Sequence, residues 1–252
     1  MCGRMTLTRS GDEIARYFAE AMAEGAALAP PLDSDGGTLR PRFNVPPSED
    51  VLTLLPGLAG AGSAIDFAWK RWGLVPSWAK DPALGQRLFN ARAETVAEKP
   101  SFRAAFARRR CLVVADGFYE WSPRNQGHAP FLFRPTRTPL ITFAGLFEVW
   151  RGTGGEVVES CTVLTTAANA DLEGIHHRMP VILEENDRSS WIDPDTPPEA
   201  LRAIAVAAPM GTLGREAVSS RVNDPRHDDP QCWDPPQRAE QGSLFASDGD
   251  EF

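Results

Sequence analysis

Residues 111–121, CLVVADGFYEW, decide how the rest of the chain is read. β-Branched and aromatic side chains dominate them, which predicts strand rather than helix. The same composition returns downstream in APFLFRP (129–135), PLITFAGLFEVW (139–150) and VVESCTVLTTAA (157–168), with GTGG (152–155) as the turn between the last two. Upstream, KPSFRAAFARRR (99–110) reads as a short helix with Pro100 at its start, Phe102 and Phe106 on its inner face and a basic end suited to the helix dipole. An earlier helix is predicted over SGDEIARYFAEAMAEG (10–25). There Ser10 and Glu13 have capping-box spacing, Ile14, Tyr17, Phe18, Ala21 and Met22 form one face, and Gly25 offers a stop.

The Pro- and Gly-rich stretch 28–50 should run irregularly over the surface. PGLAGAGSA (56–64) has the glycines of a phosphate loop but no Lys-Ser/Thr ending, so a hairpin turn is expected. NADLEGIH (169–176) and PPEALRAIAVAA (197–208) look helical, and the chain from about Pro235 is polar and acidic enough to stay unfolded. The pattern is α+β, built around a mostly antiparallel sheet.

With 252 residues and 42% hydrophobic content the chain can bury one substantial core. One domain over residues 2–230 is expected, followed by an acidic tail over 231–252, as a monomer. No apolar run approaches the roughly 20 residues of a membrane span, and the N-terminus lacks the apolar stretch of a secretory signal. A cytoplasmic location is expected, or a nuclear one in a cell that has a nucleus. Cysteines at 2, 111, 161 and 232 are too far apart for a zinc knuckle or redox motif, so free thiols and no metal are expected. Cys111 and Cys161 read as buried strand residues and Cys232 as incidental. No cofactor is implied. The net charge of −8 is uneven: residues 223–252 hold eight acidic and two basic groups, whereas 66–151 hold fourteen basic and seven acidic. A cationic middle permits a polyanion partner without requiring one.

Cys2 is the most informative position for chemistry. Aminopeptidases remove an initiator methionine ahead of a small residue, which would expose a thiol beside a free α-amine. With ordinary pKa values of about 8 and about 8.5, both are usefully nucleophilic near neutrality. One aldehyde carbon can be taken by both, first as a Schiff base and then as a five-membered thiazolidine. NARAET (90–95) adds Asn90, able to hold an amine or thiol, and Arg92, able to grip a phosphate; local capping explains the triplet equally well. Glu120, among Phe118, Tyr119 and Trp121, would lose hydration and rise in pKa, or else simply pair with an arginine. In IHHRMP (175–180) the adjacent His176 and His177 cannot share one face of a helix or strand, so one acid–base group rather than a metal pair is expected, with Arg178 at a phosphate. Trp69, Trp72 and Trp78 lie near Lys70, Arg71 and Lys80; they are core residues or stacking platforms for single-stranded nucleic acid.

These segments together resemble the SRAP family, the SOS-response-associated proteins that crosslink to abasic sites in single-stranded DNA. MCGR, RFNVPPS, WGLVPSWAKD, NARAET, FRAAFARRRCLVVADGFYEW, AGLFE, TVLTTAAN, IHHRMPVIL and VSSRVND carry the resemblance from Cys2 to about Asp224. It implies that Cys2 bonds to DNA, Asn90 positions it, Glu120 transfers protons and His176 assists opening of the abasic sugar. It also implies phosphate contacts from Arg4, Arg92 and Arg178 and base stacking by Trp72. His177 is left without a role. The implied fold is a bifurcated, mostly antiparallel sheet curled into a pseudo-barrel with peripheral helices. Two other activities fit the same residues: a peptidase using the N-terminal cysteine, including on its own leader, and a noncatalytic reader of single-stranded DNA.

Overall fold

The eleven residues that begin at Cys111 serve two sheets. A computed structural model describes residues 2–22, 28–57, 65–124 and 128–237. In chain order its elements are β1 (Met5–Leu7), α1 (Gly11–Met22), β2 (Arg42–Val45), β3 (Asp50–Pro56), β4 (Ile65–Trp72), β5 (Asn90–Arg92), α2 (Arg103–Arg108) and β6 (Arg110–Ala115). They continue with β7 (Gly117–Trp121), β8 (Pro130–Pro135), β9 (Ile141–Arg151), β10 (Val157–Ala167), β11 (Arg178–Pro180), α3 (Glu185–Ile192), α4 (Pro198–Ile204) and β12 (Leu213–Ala217).

Strands β10, β4, β3, β6 and β9 pair in that order, and β9 pairs again with β10, closing a five-stranded barrel to which β5 and β11 add along β10. A second sheet runs β12-β8-β7-β1-β2. All pairings are antiparallel except those of β10 with β4 and with β5. β6 lies in the barrel, β7 lies in the second sheet, and only Asp116 separates them. The forked, mostly antiparallel sheet and its outer helices match the expected architecture.

Asp116 is the pin of that fork. Its buried carboxylate accepts from Thr6 Oγ1 at 2.5 Å, from Thr8 N–H at 2.8 Å and from Thr8 Oγ1 at 2.5 Å, which fastens β1 across the junction. At Gly117 a Cβ would meet Phe133 O and Thr6 Oγ1, each at 3.0 Å, so a side chain there would press on the close crossing of β1, β7 and β8. Every residue from Cys111 to Glu120 is buried: β6 is a strand of the closed barrel and β7 is the central strand of the second sheet.

The helices predicted within 10–25, 99–110 and 197–208 are present as α1, α2 and α4. Ser10 N–H donates to Glu13 Oε2 at 2.9 Å and Glu13 N–H donates back to Ser10 Oγ at 3.3 Å, the reciprocal capping expected of that spacing. The stop assigned to Gly25 lies outside the described residues. Phe102 and Phe106 pack inward, and Arg110, itself buried, donates to the carbonyls of Phe106 and Ala107 at the end of α2. β3 and β4 pair from Asp50↔Arg71 to Pro56↔Ile65, as a hairpin requires, although residues 58–64 of the turn lie outside the described residues.

Three expectations change. The 169–176 segment forms only a short 3-10 turn at Ala170–Leu172. Helix α3 goes unanticipated because its sequence, ENDRSSWI, carries apolar residues only at its end, where Trp191 and Ile192 are buried together with the charged Arg188. Packing continues past residue 230, into the expected tail. Pro230–Trp233 forms a 3-10 turn in which Cys232 is wholly buried against Tyr119, Leu132, Val218 and Val222, so this cysteine is a core residue. Residues 238–252 lie outside the described residues. No helix among the described residues is long and apolar enough to cross a membrane.

Candidate functional site

β1 begins three residues after Cys2, so the tether that fixes β1 also fixes the cysteine. Cys2 is wholly buried, in the same apolar cluster as Met5, Trp72, Phe118 and Met179. Asn90, at the start of β5, donates from Nδ2 to the Cys2 carbonyl at 2.6 Å, and its own buried Oδ1 finds no hydrogen-bond partner among the described residues. That leaves an acceptor beside the residue whose amine and thiol are of interest. Burial, with the nearby Glu120 carboxylate adding to it, pushes the Cys2 thiol well above its ordinary pKa. The thiol therefore stays protonated until a base takes its proton.

Glu120 is the candidate for that base. It lies on β7, only 3% exposed, and loss of hydration raises its pKa from 4.5 to about 7, while nearby His177 opposes the rise. A carboxyl that is half ionised near neutrality can both take and return a proton.

Beside it stand the two histidines. His176 and His177 lie between a turn and β11, in neither helix nor strand, and their rings stack at 4.5 Å and 25°. The bend brings onto one side what a regular element would separate. His177, given no role from the sequence, is thereby part of the site through its charge on Glu120. In the neutral ring His176 Nδ1 either accepts from Arg178 N–H at 2.9 Å or donates to the Arg178 carbonyl at 3.0 Å, according to the tautomer. Burial lowers the His176 pKa, favouring that neutral form. Among the described residues no group of three His, Cys, Asp or Glu could hold a metal.

The two histidines, Trp121, His128, Asn169 and Arg124 line an open cleft of about 990 Å³. β5 and β11 flank the same stretch of β10, Arg92 pairing at Thr165 and Arg178 at Ala167, so two of the three expected phosphate ligands come together. Arg92 is exposed. Arg178 is held by Glu94 and Thr165. Arg4 is spent partly on the fold: its Nη1 donates to Asn44 Oδ1 at 2.6 Å and to the Val222 carbonyl at 2.7 Å, and its guanidinium lies 5.7 Å from the Trp121 ring.

Trp72, expected to stack on bases, has no exposed face. It is wholly buried, its Nε1 donates to the Phe89 carbonyl at 2.8 Å, and its ring meets Phe89 edge to face at 6.0 Å. It thereby braces the residue before Asn90. Trp121, half-buried at the end of β7, lines the cleft instead.

A model of the SOS response associated peptidase (SRAP) family matches residues 1–225. The chain is 36% identical over 237 residues to the abasic site processing protein YoqW of Bacillus subtilis, covering 92% of this chain and 98% of that protein. It is 32% identical over 264 residues to the abasic site processing protein HMCES of Gallus gallus, covering 93% of this chain and 78% of that one. Among solved structures, a Bacteroides thetaiotaomicron protein superposes with a TM-score of 0.79 at 20% identity, covering 93% of this chain and 99% of that chain. A Bordetella bronchiseptica protein follows with a TM-score of 0.68 at 23% identity, covering 87% and 100%. The fold agrees with those structures, and the family model spans the whole site from Cys2 to Arg178: this chain belongs to the SRAP family.

Proposed function

We propose that the protein recognises abasic sites in single-stranded DNA and bonds to them through Cys2 once Met1 has been removed. The observation that carries this reading is the placement of a wholly buried Cys2, held by Asn90, against a glutamate whose pKa is about 7. The names of the relatives YoqW and HMCES supply the substrate class.

An abasic deoxyribose is mostly a closed hemiacetal, and its open-chain aldehyde is the electrophile. Glu120 and His176 move the proton that opens the ring. The Cys2 amine adds to C1′, and the carbinol oxygen leaves as water to give an iminium. Glu120 takes the thiol proton, and sulfur attacks the same carbon to close a thiazolidine. Closure removes the iminium that would otherwise drive β-elimination and strand scission, so the lesion is shielded. Holding amine, thiol and base together converts bimolecular encounters into intramolecular steps. Arg92 and Arg178 hold flanking phosphates, and Trp121 offers the stacking face first assigned to Trp72.

Mature protein mixed with abasic single-stranded DNA should give an adduct that survives denaturation without borohydride, with the mass of both components less one water. Cys2→Ala keeps the amine and loses sulfur, so its adduct should persist only after borohydride trapping. An equal, untrapped yield from Cys2→Ala would remove the thiol from the mechanism.

A further inference from the structure

Arg178 already holds an anion. Glu94 accepts from Nη1 at 2.6 Å and from Nη2 at 2.9 Å, a two-point grip on the planar fork. Thr165 takes Nη2 from the other side through its hydroxyl at 3.2 Å and its carbonyl. The guanidinium is thus fixed against β10, and its remaining buried donor, Nε, finds no hydrogen-bond partner among the described residues. The arginine side chain is only 12% exposed, whereas that of Glu94 is 48% exposed. The arginine is the fixed partner and the carboxylate the one that can swing into solvent. The arginine holds the Glu94 carboxyl below its ordinary pKa, so it stays anionic wherever the protein works.

We propose that Glu94 is a specificity-determining residue: its carboxylate occupies the fork that a DNA phosphate must enter, and displacing it sets a threshold against unreactive strands. The inference rests on the reading that Arg178 binds phosphate. Intact and abasic strands meet the same threshold, but their fates differ. An intact strand is held only by reversible contacts and is released. A strand with an aldehyde is captured covalently and need not stay bound by charge. A carboxylate at the fork therefore shortens occupancy by undamaged DNA, which is in large excess over lesions.

The test is capture of a labelled abasic oligonucleotide in competition with unlabelled intact single strands. In Glu94→Gln the intact competitor should inhibit capture at a concentration about 2- to 5-fold lower than in wild type, the size expected for an exposed ion pair. Its direct affinity for intact DNA should rise by the same factor. Glu98→Gln removes the same charge from an exposed carboxylate four residues on and should shift neither value so far. In an Arg178→Ala background the effect of Glu94→Gln should shrink to that of Glu98→Gln. Weaker or unchanged binding of intact DNA by Glu94→Gln would overturn the threshold; weaker binding would make Glu94 a residue that merely orients Arg178. Wild-type adduct formation is scored in the same reactions. Its absence would remove the crosslinking reading, whereas normal adducts with unshifted competition would remove only the role of Glu94.

Discussion

Glu120 links chemistry to stability at the scale of one residue. Its folded pKa of about 7 lies above the ordinary 4.5, so the folded chain binds a proton that the unfolded chain releases. The stability this contributes is present in full below about pH 4.5 and is lost as pH rises to about 7. Glu120→Gln should therefore match wild type near pH 4 and exceed it by about 2–3 kcal/mol at pH 8 in urea unfolding. Its adduct formation should be slower by about 100-fold at neutral pH. A variant that is both slower and more stable would mark this carboxyl as kept for function at a cost to the fold. The elevated pKa was legible in the aromatic neighbours of Glu120. The stacked histidines were not, because the bend that joins them follows from how β11 docks on β10 and not from local sequence.

Among the elements, β1 matters beyond its three residues, since it carries Cys2 to Asn90. Asp116 provides three of the hydrogen bonds that hold this strand and its extension in place. Asp116→Ala would leave Thr6 Oγ1 and the Thr8 donors without that acceptor and should cost about 2–4 kcal/mol in denaturant unfolding. Adduct formation should fall more than binding of intact DNA, because Arg92 and Arg178 sit on strands anchored to β10 instead. Equal losses in both would show that β1 is held by its strand pairs alone. Strand and helix types were readable from composition and caps, which act within a few residues. Helix α3 was not, since its face is made by two terminal apolar residues and a buried arginine that bonds to Thr142 and Tyr17 far along the chain.

Over the whole molecule, Arg92 of the cationic middle and Arg178 from beyond it come to one region only because β5 and β11 both pair with β10, and that region is the proposed phosphate-binding edge. Each single-strand phosphate released from counterions contributes about 0.7 to the slope of log affinity against log salt. Arg92→Ala and Arg178→Ala should each flatten that slope by about this amount, measured by anisotropy across a salt titration. An unchanged slope in both would place the DNA elsewhere. Sequence alone determined the α+β character and, through ordered motifs that resemble one family, the family itself and the candidates Cys2, Asn90, Glu120 and His176, because motif and period are local properties of a chain. Only the tertiary structure decided that Trp72 is a brace and Trp121 lines the cleft, that Cys232 closes a core, and that Glu94 sits in the fork of Arg178. Burial and charge pairing depend on which distant strands come to lie side by side, and no local window of sequence contains that.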